Sequence, residues 1–137
     1  MLGYILADTP SGRLYKALVQ TNKATRVSAW PGQLHDPGLL VLTAEVRKDH
    51  PLDEVKDEMI RITEEAGASA PAAEDVERAR QALLNDWDTT LRSSGRAAIR
   101  LSEWAAMGDW RLMFLYRDRL KEVTARDVQR VAATYLK

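Results

Sequence analysis

A chain of 137 residues, 45% hydrophobic and 29% charged, has the size and make-up of one globular domain able to bury a core. Its 20 Lys and Arg balance 20 Asp and Glu, which argues against nucleic acid as the main partner, because phosphate binding draws on a basic excess. There is no cysteine, so disulfides and thiolate metal sites are excluded, and no apolar run approaches the roughly 20 residues that span a bilayer.

Met1 to Pro10 has neither a basic start nor a long apolar stretch, so it does not read as a signal peptide. Leu2 to Ala7 reads as the last turns of a helix whose start is missing. Asp8-Thr9-Pro10-Ser11-Gly12 breaks the chain. Ser11 is then placed to cap a helix carrying Leu14, Leu18 and Val19 on one face. Thr25 to Trp30 suits a strand. Pro31-Gly32 and Asp36-Pro37-Gly38 are turn signals. Leu39 to Val46 is the strongest strand, apolar on both faces in its first half, as an interior strand would be, and alternating in its second.

Helical spacing follows. Pro51 suits a first helical position, and Leu52, Val55, Met59, Ile62 and Ala66 recur at three and four until Gly67. Val76, Ala79, Leu83, Trp87 and Leu91 trace a long helix of about six turns. Ser93-Ser94-Gly95 breaks it. Ala98, Leu101, Trp104 and Ala105 mark another helix, ended by Gly108, and Trp110 to Leu120 a further one. Thr124 to Asp127 resembles a capping box opening a last helix with Val128, Val131, Ala132 and Tyr135 on its apolar face. The expected class is α+β and helix-rich: an antiparallel β-hairpin packed on several helices, residues 1–137 forming a single, partial domain. A two-stranded hairpin is marginal alone, so sheet strands are expected to be missing at both ends.

The residues contain no evident active site. The chain has two histidines, His35 and His50, whereas a catalytic zinc usually takes three protein ligands. His50-Pro51-Leu52-Asp53-Glu54 lacks a second His, and Pro51 puts His50 before the helical face. Ser11-Gly12 is too short for a phosphate loop, and no Gly-x-Ser-x-Gly elbow occurs. The acidic residues at 54–65 read as a solvated helix face, and Glu74, Asp75 and Glu77 as favourable charges at a helix start. Arg111 to Arg130 is basic but interleaved with Asp118, Glu122 and Asp127. Trp30, Trp87, Trp104 and Trp110 read as core or interface anchors.

Four stretches, in order and spacing, resemble the insulinase/pitrilysin family of zinc peptidases. They are Leu2–Leu6 with Ser11–Val19; Ala24–Ala29 leading into His35–Leu39; Glu74–Arg80; and Leu101–Trp104 through Gly108–Arg111 to Val123–Val128. The resemblance implies homologous α+β domains paired into halves that close around a peptide. It implies zinc on an inverted His-x-x-Glu-His motif in the first domain of a half. This sequence lacks that motif and resembles the second domain, so zinc would belong to the preceding domain of a parent protein, with no catalytic, cofactor or metal residue here. The related domain of the non-catalytic half commonly carries Arg and, seven residues later, Tyr. The corresponding positions hold Val19 and Arg26, which points to the catalytic half or a degenerate copy.

By the same resemblance, strands lie before Met1 and after Lys137, and the isolated chain is expected to self-associate through its hairpin edge. Arg26, Ser28, Trp30, Thr43 and Glu45 are the candidates for a substrate- or chamber-facing surface, with peptide addition to a sheet edge as one mode. The expected partners are the zinc-bearing domain of the same parent and a peptide substrate; no nucleic acid and no membrane span are expected. Bacterial relatives suggest the periplasm or cell envelope. A second reading is an interface-building domain in an inactive subunit of the processing-peptidase or bc1 core-protein type. A third, without a peptidase link, is a small independent adaptor.

Overall fold

The computed structural model describes residues 1–36 and 38–136. Pro37, at the centre of the second predicted turn, and Lys137 lie outside the described residues. The elements run α1 (Leu2–Ala7), a π-helical segment (Tyr15–Val19), β1 (Ala24–Pro31), β2 (Leu40–Val46), α2 (Leu52–Glu65), α3 (Ala73–Leu91), α4 (Ser94–Ala106), α5 (Leu112–Glu122) and α6 (Ala125–Tyr135). The domain is α+β and helix-rich, as the periodicities predict.

β1 and β2 pair antiparallel, with Ser28 opposite Thr43 and Trp30 opposite Val41. A bulge beside Ala24 places Thr25 and Arg26 against Glu45, and the Thr25 hydroxyl donates to the Glu45 carbonyl at 3.2 Å. β2 departs from the interior strand expected of its first half. Its exposure alternates over its whole length, and Val41 faces solvent. The reason is that β1 is its only partner among the described residues, and helices cover one face of the pair.

The covered face builds the main core. Ala24 and Val27 meet Leu6 and Ala7 of α1, Leu14 just before the π-helical segment and Leu18 within it, Val55 and Ile62 of α2 with Ala66 at its end, and Ala132 of α6. A smaller cluster joins Ile5 to Val76 and Ala79 of α3 and Val128 of α6. The π-helical segment replaces the expected Ser11-capped α-helix. The Ser11 hydroxyl donates to Asp8 at 3.4 Å instead of capping, and no side chain caps the segment. Leu14 and Leu18 are nonetheless fully buried, as their spacing requires. The chain then turns through Asn22, in the left-handed region at φ 61° that asparagine tolerates, and enters β1.

Lys23, just before β1, ties the hairpin to α2 by pairing with Glu58 at 2.5 Å and Glu54 at 3.1 Å. These carboxylates, the hydrogen-bonded Glu58 first, hold the Lys23 ammonium above its usual pKa. α3 is anchored at its far side by Arg80, whose guanidinium donates to the carbonyls of Leu120 at 3.3 Å and Val123 at 2.6 Å. The capping box at Thr124 forms as the sequence predicts: Thr124 Oγ1 accepts from the Asp127 amide and Asp127 accepts from the Thr124 amide. Gly108, at φ +127°, closes α4.

Two of the four tryptophans are not core anchors. Trp30 and Trp110 are 63% and 50% exposed, and Trp87 and Trp104 are half-buried on the α3–α4–α5 side. There Trp87 packs edge-on to Phe114 beneath the Arg117 guanidinium.

Candidate functional site

Alternation along β1 puts Arg26, Ser28 and Trp30 on one face, and the register puts Glu45, Thr43 and Val41 directly opposite them. All five residues singled out from the sequence therefore share the uncovered face of the hairpin. Val41 belongs with them and was hidden inside an apolar run that reads as interior strand. The face is graded. Arg26 and Glu45 form the charged end, and among the described residues neither enters an ion pair. In the middle Ser28 Oγ and Thr43 Oγ1 share a 2.6 Å hydrogen bond. At the loop end Trp30 lies back across Gly32, where any Cβ would fall 2.8 Å from the indole ring.

Two hollows flank the hairpin. Along β1, Gly3, Tyr4 and Ala7 of α1 with Asp8 and Thr9 face Arg26 and Ser28 across about 340 Å³. Burial, then the nearby Asp86 and Asp8 charges, push the Tyr4 phenol above its usual pKa, so at neutral pH it is an uncharged hydrogen-bonding group. At the loop end, a groove of about 1120 Å³ lies between residues 31–36 and 38–40, the start of α1 and the ends of α4 and α6. Leu34, Leu39 and Tyr135 line it and are largely exposed. Leu34 and Tyr135 were missed as surface features because no periodicity tells which side of a loop or helix end stays uncovered.

These groups can hydrogen-bond a backbone, attract either charge and stack on an apolar side chain. They do not form a nucleophile–base pair, since Ser28 is bonded to Thr43. The two histidines stand apart. His35 sits in the hairpin loop, 3.5 Å from Asp36, and His50 follows a turn beyond the other end of β2. Seven-residue β2 alone spans about 20 Å between them. Among the described residues no three His, Asp or Glu side chains cluster as a metal site would need. The helix carboxylates face neighbouring cations instead: Asp53 with Lys56, Glu65 with Arg61, Asp75 with Arg78. The C-terminal arginines do likewise, Arg111 with Asp109 and Arg119 with Glu122. Among the described residues no helix is long and apolar enough to cross a membrane.

Residues 1–83 match the family described as the peptidase M16 inactive domain. The inactive peptidase domain of a candidate zinc protease from Bordetella parapertussis is 41% identical, with a TM-score of 0.89 over 98% of this chain and 72% of that one. A candidate zinc protease from Bordetella pertussis Tohama I is 39% identical, with a TM-score of 0.87 over 98% of this chain and 74% of that one. A chain of complex III2 from Candida albicans shares the fold, at 14% identity and a TM-score of 0.81 over 97% of this chain and 34% of that one. No curated protein matches.

Proposed function

The chain belongs to the peptidase M16 inactive-domain family, of insulinase/pitrilysin type, and from that premise we propose that it is the non-catalytic, substrate-cradling domain of a zinc-dependent endopeptidase. The observation that carries the reading is the 41% identity with an inactive peptidase domain of a candidate zinc protease. In this role the chain packs beside a zinc-bearing domain of the same parent and supplies part of the chamber wall. Zinc held by that other domain would activate the water that attacks the peptide. The graded hairpin face is the part of this chain suited to the substrate. Trp30 and Val41 offer an apolar contact, Ser28 and Thr43 offer hydroxyls to a peptide backbone, and Arg26 and Glu45 offer one charge of each sign.

The first experiment is zinc content together with cleavage of a quenched peptide library by the 137-residue chain. The expected result is no stoichiometric zinc and no cleavage, with weak peptide binding that Trp30→Ala and Arg26→Ala reduce. Chelator-sensitive cleavage would overturn the reading, because the chain would then hold a catalytic metal of its own. The fold shared with a complex III2 chain supports a second reading, an interface-building domain of an inactive subunit. A His-x-x-Glu-His motif upstream in the parent gene separates the two.

A further inference from the structure

One face of α4 is exposed and carries no charge. Ala97, Leu101 and Trp104, spaced at four and three, are the half-buried residues that hold this helix to α3 and α5, Trp104 against Tyr116 at 5.4 Å. At about 100° per residue, Gly95, Ile99, Ser102 and Ala106 share a different face, and all four are exposed. Ile99 is 61% exposed, and a Cβ added to Gly95 would meet nothing within 4 Å. The solvent face of α2 is unlike this, since Asp53, Lys56, Asp57, Arg61 and Glu65 stand on it. A spacing of four, three and four is the seam of a helix that packs on another helix. Ala98 and Ala105 border this seam on one side, small enough for close approach, and Arg96 and Glu103 border it on the other.

We propose that α4 is an interface helix, packing antiparallel on α4 of a second copy with the two-fold axis between Ile99 and Arg100. Charge selects both the direction and the register. In an antiparallel pair each flank meets the same flank of the other helix, so Arg96 faces Glu103 of the second copy and Glu103 faces its Arg96. A parallel pair would set the charged flank against the alanine flank, and neither ion pair would form. Sliding the centre by half a heptad sets Arg96 against its own counterpart, or Glu103 against its own. Among the described residues Arg96 has no ion-pair partner, and Glu103 meets Arg100 through Oε2 at 3.1 Å, which leaves Oε1 free. Ile99 then meets its own counterpart at the axis, and Gly95 falls between Ser102 and Ala106 of the second copy. The balance of 20 basic and 20 acidic residues leaves no long-range repulsion between copies. With one large apolar side chain per copy the association is weak, with a Kd on the order of 0.1 mM. The interface uses no residue of the hairpin, and it stands whether or not the peptidase reading does.

The chain lacks cysteine, so a single introduced thiol reports the register. At an interaxial distance of about 8 Å, Cα atoms that face each other across the axis lie within disulfide range. Ile99→Cys is expected to oxidise to a covalent dimer, and Arg100→Cys, one residue along but turned about 100° from it, is not. Sedimentation of the unmodified chain across roughly 1 µM to 1 mM should show monomer passing to dimer. Arg96→Glu and Glu103→Arg should each weaken the dimer about tenfold, because both ion pairs become like-charge contacts. An equal mixture of the two variants should restore it, since the mixed dimer sets opposite charges against each other at both places. Arg96 and Glu103 are exposed, so far-UV circular dichroism should show both variants folded. A chain that stays monomeric throughout overturns the proposal. So does a dimer that Ile99→Cys fails to cross-link and mixing fails to restore, an outcome that assigns association to a different surface.

Discussion

Gly67 sits where α2 ends against the backbone of α6. A Cβ there would lie 2.6 Å from the Ala133 Cα and 2.7 Å from its nitrogen. A helix backbone cannot give way as a side-chain tip can, so Gly67→Ala should destabilise the domain by about 1–3 kcal/mol. Gly95 is the natural control. It lies in the first turn of α4 with nothing within 4 Å of its virtual Cβ, and Gly95→Ala should stabilise by about 0.5–1 kcal/mol. Urea titration of the two variants should therefore move in opposite directions. Sequence reading identified Gly67 as a helix stop, which is true, but the tighter constraint comes from a residue 66 positions later. Asp127 makes a prediction about pH. The Thr124 hydroxyl, then its amide, hold the Asp127 carboxyl below the ordinary aspartate value of 3.8. Its contribution to stability is therefore complete above that value and is lost as pH falls through the lower folded pKa. Wild type should exceed Asp127→Asn in thermal midpoint at pH 7, and the gap should close in strong acid.

Among the elements, Arg80 joins α3 to the α5–α6 turn through two carbonyls, and Glu77 on its own helix pairs with the same guanidinium. Loss of the fork leaves the Leu120 and Val123 carbonyls without this donor, so Arg80→Ala should cost about 1–3 kcal/mol. Arg80→Lys should recover only part, because one ammonium does not reach both acceptors as a planar guanidinium does. Denaturation midpoints and amide exchange at residues 120–124 check this. The helices themselves were legible, since each repeats apolar residues at three and four, and the Thr124 box was legible from its spacing. That 26, 28 and 30 share one face of the hairpin was legible from a period of two, whereas the register that sets Glu45, Thr43 and Val41 opposite them was not, because a long loop and a bulge intervene. The π-helical segment was not. Leu14 and Leu18 are buried as their spacing requires, but local sequence carries no mark of the extra residue per turn. The exposure of Trp30 and Trp110 was equally hidden, since it depends on which faces neighbouring elements leave bare.

Across the whole molecule, burial is uneven. α4 has no buried residue, whereas α2 contributes Val55 and Ile62 and α6 contributes Val128 and Ala132 to the two cores. α4 is held by half-buried contacts, Trp104 against Tyr116 among them. Native-state hydrogen exchange should therefore show α4 opening well below the global unfolding free energy, with α2 and β1 at the top of the range. Protection of α4 equal to that of α2 would mean a single cooperative unit.

Six-residue α1 stands between the two clusters. Ile5 faces the smaller one, Leu6 and Ala7 the larger, and Leu2 touches both. Of these partners, Val128 and Ala132 lie near the other end of the sequence. A segment this short holds no helix by itself in water. During synthesis α1 therefore leaves the ribosome before the described elements it packs against, and its docking on them is completed only after α6 has emerged. The order of translation is thus nearly the reverse of the order in which α1 can become secure, and premature release of the chain anywhere before residue 128 would leave both cores without their common wall's last support.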